Sequence, residues 1–374
     1  MLYKSFQNEQ LSALGLGAMR LPTTADGRID EAKSAEMVAY AMAHGINYYD
    51  TAWGYHNGES EPMMGKLLSA YPRESFKLAS KFPGYDLSNM GKVEEIFEKQ
   101  LDRCRVSYFD FYLFHNVNEQ NIDAYLDPAN GIYDYLIRQR DAGRIRHLGF
   151  SAHASLETMR RFLEAYGKDM EFGQLQINYL DWSYQNAKEK VELLREYQIP
   201  VWVMEPVRGG KLATLGGKYA EAFSALRPDE SAVAMAFRFL QSIPDVTVTL
   251  SGMSNMQQLA ENIATYESDK PLNGAEFSAV LAVGSELQQN MVPCTNCRYC
   301  VEYCPQGLDI PRLIRSYNEY AYNDGGVITP AALRNIDEGK QPKDCLACRS
   351  CEAVCPQQIK ISEILADFDR RLKL

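Results

Sequence analysis

Two cysteine runs with the same spacing lie between residues 294 and 355. They read Cys294-x2-Cys297-x2-Cys300-x3-Cys304-Pro305 and Cys345-x2-Cys348-x2-Cys351-x3-Cys355-Pro356. Three thiolates spaced by two residues can bind one 4Fe-4S cube, and the fourth cysteine, followed by proline, typically ligates the other cube. The spacing therefore predicts two 4Fe-4S clusters with crossed ligation. Cys294, Cys297, Cys300 and Cys355 hold one cluster, and Cys345, Cys348, Cys351 and Cys304 hold the other.

Structural zinc and disulfides are the two alternative uses of such cysteines. A zinc site needs only two CxxC pairs and leaves the third cysteine and the Cys-Pro step of each run without a role. The opening residues MLYKSFQNEQ lack the apolar region of a signal peptide. We therefore expect a cytoplasmic protein, and four disulfides are not typical of that reduced compartment. Cys104, outside both runs, is predicted to be a small buried residue.

Composition and charge exclude two classes of partner. Of the 374 residues, 46% are hydrophobic, which is enough for at least one large core, but no apolar run reaches the length of a membrane span. Residues 294–374 carry equal numbers of basic and acidic side chains, so the formal net charge of −10 belongs to the first 293 residues. A phosphate backbone is bound by clustered Lys and Arg. We expect neither a membrane nor nucleic acid as a partner.

The first 275 residues alternate between short β-rich runs and amphipathic helical patterns. Such alternation is typical of parallel βα units, and eight units in this length match a (β/α)8 TIM barrel, which usually has about 250 residues. The predicted strands are 14–17, 48–50, 76–80, 109–114, 145–150, 175–178, 200–204 and 246–250.

Polar residues follow three successive predicted strands. Asp50 ends the second strand and leads to Tyr55, Lys81 ends the third, and His115 ends the fourth. Each residue alone is explained by a cap, a rim charge, a packed ring or a core imidazole. However, barrel active sites are built where strands end. The joint placement predicts four proton-exchanging groups on one rim.

At these residues the chain resembles the aldo-keto reductases. The segment GINYYDTAWGYHNGESE, the Lys of LASKFP and the His of FDFYLFHNV match the family's Asp, Tyr, Lys and His tetrad. The stretches LGLGAMRLP, GRIRHLGFSAH, LQINYL and SGMSNMQQLAENI extend the resemblance. The cysteine runs resemble ferredoxin modules, and the helical segment between them is similar to the α-helical type. The resemblance implies a barrel over 1–275 and a small, mostly helical di-cluster domain over 276–374.

The resemblance implies an oxidoreductase that transfers hydride between NAD(P)H and a carbonyl substrate. A Tyr hydroxyl with a pKa near 10 is a poor acid at neutral pH. Lys81, held as a cation by Asp50, is expected to lower that pKa. Tyr55 is then the general acid, and His115 positions the carbonyl.

The cofactor residues follow the later strands. By resemblance, the nicotinamide amide contacts Ser151, Gln176 and Asn178. The loops after strands seven and eight commonly bind phosphate, and their candidates are Arg208, Gly209, Lys211, Ser254 and Asn255. The sequence departs from the family at Ala152, Met204 and Gln258. NADP and NAD therefore both stay open, and FMN is an alternative ring for the barrel mouth.

Three functions are compatible with a barrel joined to two clusters. The first is a carbonyl reductase whose clusters exchange electrons with a redox partner such as ferredoxin or flavodoxin. The second is a flavin- or ferredoxin-dependent reductase that uses the same barrel mouth. The third is an electron carrier or redox sensor with a structural barrel, and the tetrad argues against it. The clusters could also brace the C-terminal segment.

Overall fold

The computed structural model describes residues 1–289, 291–294, 298–322, 333, 336–355 and 357–373. The chain forms two compact units, Met1–Ala282 and Val283–Leu374. The division between them falls within one helix, Gly274–Gln289. The boundary predicted after residue 275 lies in the first turn of that helix.

Eight parallel strands close the first unit into a barrel, in the order β10-β3-β4-β5-β6-β7-β8-β9. The predicted eight-stranded barrel is thus confirmed. The strands in chain order are β1 (Tyr3–Phe6), β2 (Glu9–Ser12), β3 (Leu14–Gly17), β4 (Tyr48–Asp50), β5 (Lys77–Phe82), β6 (Phe109–Val117), β7 (Ile145–Ala152), β8 (Phe172–Gln176), β9 (Val201–Met204) and β10 (Val246–Ser251).

One predicted strand is displaced along the chain. The prediction placed it at 175–178, whereas β8 begins at Phe172 and ends at Gln176. Gly173 pairs with Phe150 on one side and with Val201 on the other, so the close approach of both neighbouring strands decides the start of β8. Asn178 therefore lies in the loop after the strand rather than within it.

Strands β1 and β2 form an antiparallel hairpin that the sequence did not predict. Each strand has four residues, and their sequences YKSF and EQLS show little apolar alternation. Phe6 is nevertheless buried, with its ring 5.0 Å from the Trp202 ring and 5.8 Å from the Phe111 ring. Because the hairpin leads into the start of β3, it covers the amino-terminal end of the barrel and leaves the opposite rim for a site.

Amphipathic helices surround the barrel. In Leu156–Tyr166, for example, the Ser155 hydroxyl accepts a hydrogen bond from the Thr158 N–H as an N-cap, and Met159, Phe162 and Leu163 face the strands. Among the residues that the structure describes, no helix is long and apolar enough to cross a membrane. The first unit contains α1 (Glu31–Ala43), α2 (Ser60–Leu68), α3 (Val93–Cys104), α4 (Ile122–Leu126), α5 (Ile132–Asp141), α6 (Leu156–Tyr166), α7 (Asp181–Tyr184), α8 (Ala187–Glu196), α9 (Lys218–Leu226), α10 (Ala232–Gln241), α11 (Met256–Thr265) and the first part of α12 (Gly274–Gln289).

The second unit is helical, as predicted. After α12 it contains α13 (Tyr299–Glu302), α14 (Ile310–Tyr322), α15 (Ser350–Ala353) and α16 (Ile361–Leu372). Leu313 and Ile314 from α14 and Leu365 and Phe368 from α16 form its buried core. Cysteine side chains belong to the same core, with Cys300 and Cys351 buried and Cys294, Cys304, Cys345 and Cys355 packed against it.

Candidate active site

Lys81 is the centre of the acid–base cluster on the open rim. Its ammonium donates to Asp50 Oδ1 at 2.6 Å, to the Thr51 carbonyl oxygen at 2.8 Å and to the Tyr55 hydroxyl at 3.4 Å. These contacts employ all three donors of the ammonium group. Asp50 pairs in register with Ala79 across β4 and β5, and Tyr55 begins a 3-10 turn five residues later. The fold thus brings three of the four tetrad candidates within hydrogen-bonding distance.

The three groups shift each other's pKa values. Burial acts to lower the pKa of Lys81, but the Asp50 carboxylate and the Tyr55 hydroxyl raise it, and the net direction is upward. Burial raises the pKa of Asp50, and Lys81 partly offsets this. Burial also raises the pKa of Tyr55, while the Lys81 cation opposes the rise. The sequence analysis expected Lys81 to lower the pKa of Tyr55, and this expectation is wrong in sign. Desolvation of the phenolate raises the pKa by more than the Lys81 cation lowers it.

His115 completes the cluster as a neutral ring. Its centroid lies 6.1 Å from that of Tyr55 and 5.2 Å from that of Tyr85, both in edge-to-face geometry. Burial and the Lys81 cation hold the pKa of His115 well below its ordinary value of 6.5. A neutral imidazole carries one N–H donor and one acceptor nitrogen. His115 can therefore orient a carbonyl oxygen by a hydrogen bond, but near neutral pH it is not a cationic acid.

Glu61, which the sequence analysis missed, fixes the strand that carries Lys81. Its fully buried carboxylate accepts hydrogen bonds from Ser80 Oγ at 2.7 Å and from Gln100 Nε2 at 2.6 Å. Gln100 Nε2 also donates to the Lys81 carbonyl oxygen at 3.0 Å. The residue ends the polar GESE segment and is the second residue of α2. Only its burial against α3 and β5 shows its structural role.

The amide side of the rim contains Ser151, Gln176 and Asn178. Ser151 Oγ accepts from the Asn116 N–H at 2.8 Å, which leaves its own proton available for a ligand. Gln176 Nε2 donates to Asp181 Oδ2 at 2.8 Å, and Asn178 Nδ2 donates to the same oxygen at 2.7 Å. A carboxylate accepts only. Gln176 therefore turns its NH2 group toward Asp181 and keeps its carbonyl oxygen as the acceptor for a ligand.

Asp181 is fully buried and also joins the rim to the predicted phosphate loop. Arg208 Nε lies 3.2 Å from both of its carboxylate oxygens, and only 6% of Arg208 is exposed. The sequence analysis did not single out Asp181. No local pattern links it to Arg208, which is 27 residues away in the chain.

The other predicted phosphate residues lie on loops after β9 and β10. Gly209 adopts a positive φ of 65°, a conformation that favours glycine, and Lys211 lies in the same turn, Arg208–Ala213. Asn255 caps α11 by accepting a hydrogen bond from the Gln258 N–H at 2.9 Å. The exposed Ser254 donates its N–H to Gln258 Oε1 at 2.8 Å.

The cysteines of the second unit line two cavities. One is bordered by Cys294, Cys300 and Cys355 among Pro311, Ile314, Ile359 and Ile361. The other is bordered by Cys304, Cys345, Cys348 and Cys351, with Leu308, Ile310 and Leu365. This grouping matches the crossed assignment for each described cysteine. Cys297 and Pro356 lie outside the described residues.

The cysteines in these cavities differ in how readily they lose the thiol proton. Hydrogen bonding by Ser350 lowers the pKa of the exposed Cys348. Burial raises the pKa of Cys351 to about 11. The Leu308 N–H donates to Cys304 Sγ at 3.4 Å, a contact that stabilises a thiolate. Cys104, by contrast, is buried in the barrel unit with only 1% exposure, as predicted.

Comparison with known proteins agrees with this geometry. Residues 13–283 match the model of the Aldo/keto reductase family, and residues 293–359 match a 4Fe-4S dicluster domain. The chain is 29% identical over 220 residues to the probable aldo-keto reductase 1 of Glycine max, which is 57% of this chain and 60% of that protein. It is 27% identical to the NADH-specific methylglyoxal reductase of Escherichia coli over 221 residues. The aligned part covers 54% of this chain and 65% of that protein.

A solved structure supports the fold alone. The aldo-keto reductase from Klebsiella pneumoniae in complex with NADPH superposes with a TM-score of 0.61 at 18% identity, covering 76% of this chain and 95% of that one. The family match extends over most of the barrel unit and includes each strand of the closed barrel. The chain therefore belongs to the aldo/keto reductase family of oxidoreductases and carries a 4Fe-4S dicluster domain after its barrel.

Proposed function

We propose that the protein reduces a carbonyl compound at the rim of the barrel, with Tyr55 as the general acid. The observation that carries this proposal is the buried Lys81, which binds Asp50 and contacts the Tyr55 hydroxyl. Because Lys81 donates to the Tyr55 oxygen, the phenolic proton is free to point toward substrate. Burial keeps Tyr55 protonated, and Lys81 stabilises the phenolate that forms when the proton leaves.

The substrate oxygen is held by the neutral His115 ring. Its N–H donor stabilises the negative charge that develops on a carbonyl oxygen during reduction. The ring is flanked by the Tyr55 and Tyr85 rings, which restrict its orientation. Asp50 keeps Lys81 charged and oriented. We propose a small carbonyl compound as substrate, and methylglyoxal is a suitable first candidate because one similar protein is named for it.

A nicotinamide dinucleotide, NADP or NAD, supplies the hydride when bound. Ser151 offers a hydroxyl proton and Gln176 a carbonyl oxygen, and this donor–acceptor pair complements the C=O and NH2 groups of a carboxamide. Asn178 is committed to Asp181 and to the Glu205 carbonyl oxygen, so we assign it to holding the loop. Of the similar proteins, the Escherichia coli reductase is named as NADH-specific, and the Klebsiella pneumoniae structure is a complex with NADPH.

We propose that residues 276–374 hold two 4Fe-4S clusters with the crossed ligand sets predicted from the sequence. The partition of the described cysteines between the two cavities supports this arrangement. The clusters supply one-electron transfer when bound, and the partner is a one-electron carrier such as ferredoxin or flavodoxin. The apolar side chains of the cavities shield the buried Cys300 and Cys351 from water.

A flavin in the barrel mouth is the alternative, and one observation favours it. Met204, at the end of β9, occupies the position where the family commonly stacks a Tyr on nicotinamide, and its Sδ lies 3.6 Å from Gln174 Nε2. A thioether is a less oriented platform than an aromatic ring. FMN exchanges both one and two electrons, so it would join hydride chemistry to the clusters.

The test is an anaerobic titration of the iron-loaded protein with NADH and then NADPH, with and without FMN, followed at the visible iron–sulfur absorbance. Methylglyoxal is added at the end, and nucleotide oxidation is measured. Nucleotide oxidation that depends on methylglyoxal would support the reductase. Bleaching of the iron–sulfur absorbance without FMN would show that the nucleotide reduces the clusters within this chain. Bleaching only with FMN favours the flavin alternative. No nucleotide oxidation and no bleaching in any arm would reject the reductase.

A further inference from the structure

Arg20 lies between the two loops that barrels use for phosphate. It ends the 3-10 turn Ala18–Arg20, which follows β3. Its aliphatic stem crosses Gly252, directly after β10, where an added Cβ would be 3.2 Å from Arg20 Cβ, Cγ and Cδ. Its guanidinium reaches the loop after β9, where a Cβ on Gly209 would be 3.1 Å from Nη2. The two glycines thus make room for one arginine.

This position compensates for the burial of Arg208. The sequence offers Arg208 as a cation for phosphate, but its guanidinium is paired with the buried Asp181 carboxylate. The Arg20 side chain is 33% exposed, and its ion pair is a long one, with Nη2 4.0 Å from Glu205 Oε1. A partly exposed pair at that distance contributes little. Arg20 can therefore exchange Glu205 for a ligand oxygen at small cost. If Arg208 turned to a ligand instead, the buried Asp181 carboxylate would lose its guanidinium partner and keep only neutral donors from Gln176 and Asn178.

The barrel order indicates which phosphate Arg20 meets. Strand β3 lies between β10, which leads to a phosphate loop, and β4, which ends in Asp50. Arg20 is therefore on the rim beside the acid–base cluster. In a dinucleotide the pyrophosphate is the anion next to the nicotinamide riboside, and a 2′-phosphate is at the far end.

We propose that Arg20 binds the pyrophosphate of the nicotinamide dinucleotide and that Glu205 is its resting partner. This rests on the proposed function. A planar guanidinium matches two phosphate oxygens at once, so charge and shape both favour arginine. A Cβ at Gly209 or Gly252 would crowd the arginine, which would have to shift by a few tenths of an ångström.

The test compares the dissociation constants of NADH, NADPH and ADP-ribose for the iron-loaded wild type, Arg20→Gln, Arg20→Lys and Glu205→Gln. The fluorescence of NADH and NADPH gives their dissociation constants, and competition against NADH gives that of ADP-ribose. Neither measurement needs turnover. Arg20→Gln should weaken all three ligands by about 10- to 100-fold, the loss of a charged hydrogen bond. Arg20→Lys should recover part of the loss. Glu205→Gln should tighten binding, because it removes the competing carboxylate. Arg28→Gln, which alters an exposed ion pair with Glu59, is the matched control and should leave binding unchanged.

The outcomes separate a binding role from a structural one. If Glu205→Gln weakens binding as much as Arg20→Gln does, the ion pair merely supports the loops and the proposal is overturned. If the Arg20 variants bind only NADPH more weakly, Arg20 contacts the 2′-phosphate, and the proposed contact with the pyrophosphate is rejected. Unchanged binding in both Arg20 variants would reject the inference but leave the proposed function intact. A wild type that binds no nicotinamide nucleotide would reject the proposed function itself.

Discussion

The barrel rim and the cysteine unit hold their chemical groups in different ways. On the rim, Lys81 and Asp50 are paired with each other, and Glu61 and Gln100 support them from behind, so the scaffold is complete without a ligand. In the second unit, Cys300 and Cys351 are part of the hydrophobic core, and four other cysteines pack against it. We therefore expect the barrel to owe its stability to its own packing and the small unit to depend on what its thiolates bind.

Removal of iron should have the largest effect and should separate the two units most clearly. We expect the apo-protein, and a Cys351→Ser variant, to lose the fold of the second unit while the barrel persists. Hydrogen exchange should then be fast in α14 and α16 but stay slow in β5 and β6. Cys104→Ser, which changes the buried cysteine of the barrel, is the matched control and should retain full iron content. Slow exchange of α14 and α16 after iron removal would show that the core suffices alone.

Tyr55→Phe should have the next largest effect, confined to the barrel. Loss of the general acid should lower kcat for carbonyl reduction by about 10²- to 10⁴-fold, while the iron–sulfur spectrum stays unchanged. Tyr49→Phe removes another tyrosine hydroxyl from the same region, one that donates to the Ile46 carbonyl oxygen. It should cost stability but little activity. Equal activity of Tyr55→Phe and wild type would remove Tyr55 from the mechanism.

Lys81→Met should shift a pH profile. Tyr55 must be protonated to act, so kcat/KM is retained below its pKa and lost as pH rises through it. Burial raises that pKa and Lys81 opposes the rise, so removal of the cation should move the alkaline limb to higher pH. The variant should also unfold more easily, because Asp50 would remain buried without its partner. An alkaline limb at the same pH in both proteins would mean that another group titrates there.

His115 gives the smallest effect, a change in the stability of the barrel with pH. Its pKa in the folded state is well below 6.5, so the unfolded chain binds the proton more readily. Stability should be fully present above pH 6.5 and fall below it, by at most about 1.4 kcal/mol per pH unit. His115→Gln should lose this dependence. Urea unfolding followed by tryptophan fluorescence reports the barrel alone, since Trp53, Trp182 and Trp202 all belong to it. Parallel pH curves for the two proteins would contradict the assignment.

Local patterns reveal the strands and the cysteine ligands, but they miss contacts between loops. The spacing of thiolates and the ends of strands are properties of short segments, which is why the cysteine grouping and the Lys81 cluster could be predicted. Asp181 and Arg20 act on residues far away in the chain, and only the closed barrel brings their partners to them. The β1–β2 hairpin was missed because its place depends on the burial of Phe6 and Leu11 in the barrel core, and four-residue strands show no local alternation.

The sharing of cysteines between the two runs has a consequence for assembly. The cavity beside Cys294 and Cys300 also takes Cys355 from the second run, and the cavity beside Cys345 also takes Cys304 from the first. Neither cavity is complete until both runs have met. With the proposed crossed ligand sets, we expect iron loading to be cooperative, because the first cube would gather the ligands of the second. A population with limited iron should divide into fully loaded and empty molecules, with few that carry a single cube.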